Sequence, residues 1–175
     1  MKKHFHTGRR PGLELHLRHL NARVRLVQAD LNDPVSVSIE GPRDLLQIIS
    51  FDEHDDVVIL DSGAPIPSTD LPSITINLAM HIFSALIVEP GFVGEIDIAD
   101  LERVGIIVMS SDCKITANSL KKLSFVITGK STIKVKSATG VHGYGTDDAQ
   151  ILIEHADFVT DIGGEGRVKA SVSYQ

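Results

Sequence analysis

The sequence predicts an all-β fold of the parallel β-solenoid type, in which short strands stack coil upon coil. The C-terminal half divides into similar segments of about 19 residues, and each segment carries two short runs that mix apolar and polar residues. Alternation puts the apolar side chains on one face of a strand, and repeats of this length are typical of solenoids. The five segments are residues 81–100, 101–119, 120–138, 139–156 and 157–175.

The second run of each segment contains two apolar residues spaced two positions apart, with a polar residue between them in four of the five segments. If neighbouring coils lie about 4.8 Å apart, these pairs form continuous apolar columns inside the stack. The pairs are Ile96 and Ile98, Ile115 and Ala117, Ile133 and Val135, Ile151 and Ile153, and Val168 and Ala170. The first runs predict a second inward column of Leu86, Ile106, Phe125, Tyr144 and Ile162.

Short turns separate the runs and leave no room for helical crossovers. They are predicted at residues 90–91, 110–112, 129–131, 145–148 and 163–166. An antiparallel meander stays open as the alternative, because Gly129-Lys130-Ser131 could also close a hairpin. None of the turns is the Asn-Gly or Asp-Gly pair that two-residue hairpins favour, so the pattern favours the solenoid.

The N-terminal half is less regular and is predicted to supply strands that begin and cap the stack. These strands are predicted at residues 13–17, 22–29, 35–41, 45–51 and 56–62, with at most one helical turn within 44–49. Three prolines in residues 63–73 fit a connector better than a central strand, because proline has no N–H to donate. The predicted organisation is a flexible tail at 1–11 and one domain at 12–175, with N-terminal strands at 12–62, the connector at 63–73 and repeats at 74–175.

Composition argues against several classes of function. The chain of 175 residues has a formal net charge of −6, which disfavours nucleic-acid binding because phosphate contacts dominate that affinity. The most apolar stretch, residues 74–88, is interrupted by polar residues and is too short to span a bilayer. Cys113 is the only cysteine, so no disulfide can form within the chain, and its β-rich context predicts a buried, inert thiol.

A ladder of charged residues is the first candidate site. The stacked register brings Asp112, Lys130 and Asp148 into adjacent turns, because each lies three residues before an inward isoleucine. Such a ladder is expected to stabilise stacking modestly, and a site for a charged glycan is the alternative. Lys134 belongs to a lysine-rich stretch at 113–136 that contains no acidic residue, whereas acidic residues follow it. This asymmetry predicts a basic belt or a solvated rim of the sheet.

An enzymatic alternative rests on an outward cluster of charged residues, Asp161, Glu165, Arg167 and Lys169. β-Solenoids host polysaccharide lyases and hydrolases, but this chain has no Trp and only two Tyr, so sugar-stacking surfaces are poor. No metal site is predicted from the histidines, and no phosphate loop or nucleophile elbow is present. The sequence therefore predicts no cofactor and no catalytic residue.

The stretch NARVRLVQADLNDPVSVSIEGPRDLLQIISFDEHDDVVILDSG, followed by ITINLAMHIFSALIVE and the repeats, resembles the putative auto-transporter adhesin head domain family, called GIN. The resemblance covers roughly residues 12–175 and rests on pattern and spacing. It implies a right-handed single-stranded parallel β-helix, usually on exported bacterial proteins, with no established catalytic residues.

These observations predict a non-catalytic, adhesin-like binding or assembly module of the bacterial cell envelope, with a glycan or a surface protein as its partner. The open final strand, ending at residues 172–175, predicts self-association into a homo-oligomer. The N-terminal sequence MKKHFHTGRRPG is not followed by an apolar signal region. A cytoplasmic location and a polymer-forming scaffold therefore stay open as alternatives.

Overall fold

The computed structural model describes residues 1–6, 13–28, 36–63, 72–78, 83–99, 101, 103–146, 148–164 and 169–174. This part of the chain is almost entirely β-structure, with one short helix. The strands are β1 (Lys2–His6), β2 (Leu13–Arg18), β3 (Asn21–Gln28), β4 (Ser36–Glu40), β5 (Ser50–His54), β6 (Val57–Asp61), β7 (Ser73–Leu78), β8 (Phe83–Val88), β9 (Val93–Ala99), β10 (Arg103–Gly129), β11 (Thr132–Gly145), β12 (Gln150–Gly164) and β13 (Lys169–Tyr174). Helix α1 spans Arg43–Ile48.

Alternation of side chains explains why these segments are strands. In β3, Val24 and Leu26 are buried while Arg23 and Arg25 between and beside them are exposed. Such a strand buries its apolar face by packing it against a shared apolar interior, while its charged side chains stay in solvent. Helix α1 follows Pro42 and buries Leu46 alone, so it covers the core locally and does not form a layer.

Parallel pairing in register connects the strands that carry the repeat. Ile115 of β10 pairs with Ile96 of β9 on one side and with Ile133 of β11 on the other, and Ile133 pairs with Ile151 of β12. The predicted alignment of these isoleucines is confirmed. In the last segment the prediction is wrong by two residues, because Ile151 pairs with Ala170 and not with Val168.

The predicted fold class, a right-handed single-stranded parallel β-helix, is wrong. The structure forms one nearly closed, mixed sheet of thirteen strands, in which the pairs β1–β4, β4–β7 and β5–β6 are antiparallel. Side-chain alternation is the same in parallel and antiparallel strands, so the pattern that identified the strands did not fix their directions. In addition, β10 continues through the turn predicted at residues 110–112, a stretch without Gly or Pro.

The order of strands in the sheet departs from their order in the chain. Strand β2 lies between β6 and β8, and β3 lies between β7 and β9. Strands β2 and β3 therefore each have a paired neighbour on both sides and are not edge strands. Lys2–His6, within the tail predicted to be flexible, form strand β1 paired with β4.

One apolar cluster fills the interior and includes residues from almost every described strand. Leu17, Leu26 and Ile133 are fully buried in it. The predicted second inward column is correct at Leu86, Ile106 and Phe125, which are at most 3% exposed, but wrong at Tyr144, which is 37% exposed. The register explains the difference: Phe125 pairs with Gly143, and Tyr144 pairs with Val126 on the opposite face.

Gly143 leaves space for the buried ring of Phe125. A Cβ at this position would lie 2.6 Å from three atoms of that ring. We therefore expect Gly143→Ala to destabilise the fold by about 1–3 kcal/mol through overpacking, measured by urea unfolding. Gly140→Ala in the same strand is the matched control, because a Cβ there would come no closer than 3.8 Å to its nearest neighbour, the Lys121 carbonyl oxygen. Equal stability of the two variants would contradict this explanation.

Candidate functional site

The outward side chains of four neighbouring strands form a surface that we call the charged face. Because Val24, Ile96 and Ile115 point into the core, the residues beside them point outward. The pairing of β3, β9, β10 and β11 then aligns these outward residues in two columns across the sheet. The charged face consists of Arg23, Glu95 and Lys114 in one column and Arg25, Asp97, Thr116 and Lys134 in the other.

An open trench runs across the charged face. One groove of about 270 Å³ lies over strands β7, β3, β9 and β10. A second groove of about 240 Å³ continues toward β11 and β12, where Lys134, Lys136 and Glu154 line it. Asp97 and Thr116 line both grooves, so the two grooves form one continuous depression.

Ion pairs on the charged face are long and solvent-exposed. Arg23 Nε lies 4.0 Å from Glu95 Oε2, and Lys114 Nζ lies 3.6 Å from Glu95 Oε1. Arg25 Nε lies 3.7 Å from Asp97 Oδ2, and Thr116 Oγ1 donates a hydrogen bond to Asp97 Oδ1 at 3.3 Å. Exposed pairs of this kind each contribute about 0–1 kcal/mol. The charged groups can therefore change partners at low cost.

A second polar cluster, which we call the Glu89 cluster, is compact and partly buried. Arg18 donates two hydrogen bonds to Glu89, from Nε at 2.6 Å and from Nη2 at 2.8 Å. His16 Nδ1 lies 2.6 Å from Glu89 Oε1. The hydrogen bond from Arg18 lowers the pKa of Glu89, although burial opposes the shift, and the same hydrogen bond raises the pKa of Arg18. This two-point pairing fixes β2 against the turn that follows β8.

The neighbouring turn is held by a similar contact. His19 Nδ1 lies 3.2 Å from Asp61 Oδ1, and the Gly63 amide donates to the same oxygen at 2.7 Å. Ser62 Oγ donates a hydrogen bond to the His19 carbonyl oxygen. The two contacts of His19 join segments more than 40 residues apart in the chain, so we assign them a structural role.

An apolar groove of about 470 Å³ lies over the other parallel part of the sheet. Ala85 and Gly105 line it with small groups, and the more exposed Val126 and Tyr144 border it at 44% and 37% exposure. The Tyr144 ring lies over Gly163, where a Cβ would approach it to 3.0 Å.

Four of the predicted site residues have described side chains. Lys134 lies within the charged face, and Asp112, Lys130 and Asp148 are exposed. The residues two positions after Asp112, Lys130 and Asp148 are paired across the sheet. Lys114 pairs with Thr132, and Thr132 pairs with Gln150. The ladder of Asp112, Lys130 and Asp148 and its binding role stay predictions.

The predicted enzymatic cluster lies mostly outside the described residues. The backbone of Asp161 pairs with His142, but its side chain, Glu165 and Arg167 are not described. Within the described part of the chain, no group of three or more His, Cys, Asp or Glu residues is placed to hold a metal ion. Among the helices of that same part, none has the length and apolar character to cross a membrane.

Arg23, Arg25 and Glu95 are not among the site residues predicted from the sequence. Their signal was present, because Arg-Val-Arg and Glu-Ile-Asp each place two charged residues on one strand face. Their proximity was not predictable, since Arg23 and Glu95 belong to strands far apart in the chain. The Glu89 cluster gave no local signal either, because His16 and Glu89 are 73 residues apart.

Solved structures with a similar fold were found. A putative adhesin from Parabacteroides distasonis ATCC 8503 matches with a TM-score of 0.56 and 13% identity, covering 100% of this chain and 94% of the other. The chain shares its fold with this putative adhesin. Putative adhesins from Bacteroides fragilis NCTC 9343 and Parabacteroides merdae ATCC 43184 match with TM-scores of 0.51 and 0.50 at 11% and 14% identity. Both matches cover 100% of this chain, and they cover 96% and 91% of the other chains, respectively.

The resemblance to adhesins predicted from the sequence is therefore confirmed at the level of fold. No family model matches the sequence, and no curated protein matches it.

We expect Glu89→Gln to destabilise the protein by about 1–3 kcal/mol at neutral pH, because it removes a hydrogen-bonded charge. The lowered pKa of Glu89 means that its stabilising contribution is present above about pH 4.5 and is lost as pH falls through the native pKa. Chemical unfolding from pH 7 to pH 3 should show a smaller loss of stability in the variant than in the natural protein. Glu95→Gln is the control, since the ion pairs of Glu95 are long and exposed, and an equal effect there would contradict the assignment.

The predicted buried thiol is confirmed, since Cys113 is 3% exposed and its Sγ lies 3.4 Å from Ser131 Oγ. Burial raises the pKa of the Cys113 thiol to about 11. Because the thiolate is the reactive form, a thiol-specific reagent at pH 8 should label the folded protein at least about a hundredfold more slowly than the urea-unfolded protein. Labelling at equal rates in both states would show that the thiol is accessible.

Proposed function

We propose that the protein is a non-catalytic, adhesin-like binding module of the bacterial cell envelope and that the charged face binds its ligand. The observation that carries this proposal is the continuous trench formed by the two grooves that share Asp97 and Thr116. A trench that crosses several strands suits an extended ligand better than a small enclosed one.

The energetics of the two polar clusters support the choice of this surface. The Glu89 cluster is closely paired, with donor–acceptor distances of 2.6 and 2.8 Å. The pairs of the charged face are longer and more exposed. Breaking the ion pairs of the Glu89 cluster would lower the stability of the fold, whereas the charged face can exchange its ion pairs for contacts with a ligand.

The fold also supports a binding role. Solved structures that share it are described as putative adhesins.

Self-association through the sheet edges stays a separate prediction. Strands β1, β5 and β13 each pair with one neighbour in the described part of the chain. Charged residues such as Lys2 and Asp52 lie on these edges, and charged edge strands discourage pairing between molecules. We therefore place ligand binding on the charged face and not at the edges.

Thr116→Met tests the proposal, because a longer neutral side chain would fill the point where the two grooves meet. We expect binding to intact bacteria and to purified envelope polysaccharides to weaken about tenfold, measured by cell pull-down and biolayer interferometry. Thr139→Met is the matched control, since Thr139 is exposed in β11 and lines neither groove. Unchanged binding by Thr116→Met, or no binding by the natural protein, would contradict the proposal.

A further inference from the structure

We infer that the ligand of the charged face is a linear acidic polysaccharide, whose carboxylates are bound by the arginines and lysines of the trench. This inference rests on the proposed function and names the chemical class of the ligand. Its four supports are the local charge of the trench, the exposure of its arginines, the acidic residues beside them and the regular spacing of the strands.

The trench is locally basic in an acidic protein. Its lining includes five basic residues and three acidic ones, whereas the whole chain has a net charge of −6. The basic residues are Arg23, Arg25, Lys114, Lys134 and Lys136, and the acidic residues are Glu95, Asp97 and Glu154. A groove with an excess of one sign of charge concentrates ligands of the opposite sign.

The arginines of the trench retain most of their binding capacity. Arg18 of the Glu89 cluster uses two nitrogens to bind its carboxylate. Arg23 and Arg25 instead approach their carboxylates through Nε, at 4.0 and 3.7 Å, and their side chains are 69% and 61% exposed. The guanidinium fork matches a carboxylate with two parallel hydrogen bonds. These two arginines can therefore receive a carboxylate from a ligand.

The acidic residues of the trench favour a sugar over a phosphate polymer. Glu95 and Asp97 lie next to the basic residues, so they would repel polyphosphate, whose charges are closely spaced and which has no hydroxyl group to donate to them. Ionised carboxylates accept hydrogen bonds only, and the hydroxyl groups of a sugar donate them. A polymer that presents both carboxylates and hydroxyls is complementary to both kinds of residue.

The geometry of the sheet favours a linear ligand. Neighbouring strands are about 4.8 Å apart, so Arg25, Asp97, Thr116 and Lys134 recur at regular intervals along one line. Among the described residues that line the trench, none is aromatic. Charge and hydrogen bonding must then carry the affinity, and binding should weaken as salt concentration rises.

The experiment compares polymers and variants of the full chain. The probes are alginate, polygalacturonate and hyaluronan, alginate with its carboxylates esterified, and inorganic polyphosphate, each measured by biolayer interferometry at low and physiological ionic strength. We expect at least one of the three acidic polysaccharides to bind, and the esterified polymer and polyphosphate to bind at least about tenfold more weakly.

The double variant Arg23→Gln and Arg25→Gln should weaken binding to the acidic polysaccharide about tenfold or more. The matched control is Lys121→Gln with Lys122→Gln, which removes the same charge from two exposed residues of β10 outside the trench. Thermal unfolding of both double variants checks that the fold is kept. We expect the control to bind like the natural protein.

Three results would overturn the inference: no binding to any acidic polysaccharide at low ionic strength, equal or tighter binding of the esterified polymer or polyphosphate, or an equal effect of the two double variants. Loss of cell binding in Thr116→Met together with unchanged cell binding in the arginine variant would keep the proposed function and reject the acidic ligand. Unchanged cell binding in both variants would reject the charged face itself.

Discussion

The parallel pairing of strands in register is the constraint on which the rest of this structure depends. When Ile115 pairs with Ile96 and Ile133, every neighbouring position along those strands is aligned as well. Because side chains alternate between faces, one register produces both the apolar interior and the rows of charged residues outside it. A shift of one residue would bring the charged row into the core and expose the isoleucines.

Close contacts between neighbouring strands limit the residues that the register can accept. Gly143 lies under Phe125, and Gly163 lies under Tyr144. A strand of β-branched residues would stabilise the ladder more by itself, but it would leave no space for these rings. Glycine has a low strand propensity, but at these two positions it leaves room for the larger rings to pack.

Charged residues have two different roles in this protein. Arg18 and Glu89 are partly buried and paired through two short hydrogen bonds, so they hold segments that are distant in the chain. Arg23 and Arg25 carry the same guanidinium group, but they stand on an open face with distant partners. Desolvation and geometry, and not residue type, separate a structural ion pair from a surface that is available to a ligand.

Apart from helix α1, where a strand was predicted at residues 45–51, and Tyr144, which is exposed, the sequence by itself determined most of the strands, most of their buried side chains and the alignment of the isoleucines from Ile96 to Ile151. These properties follow from alternation and from a local repeat, and both are visible along a single strand. It also placed Lys134 on the outer surface, because this residue lies between the inward Ile133 and Val135.

Only the tertiary structure decided the directions of the N-terminal strands, the position of β2 and β3 inside the sheet and the contact of Arg23 with Glu95. Alternation is identical for both strand directions, and pairing between distant segments depends on the packing of the whole core. The charged face belongs to this second group, because its columns form only when strands from both halves of the chain lie side by side.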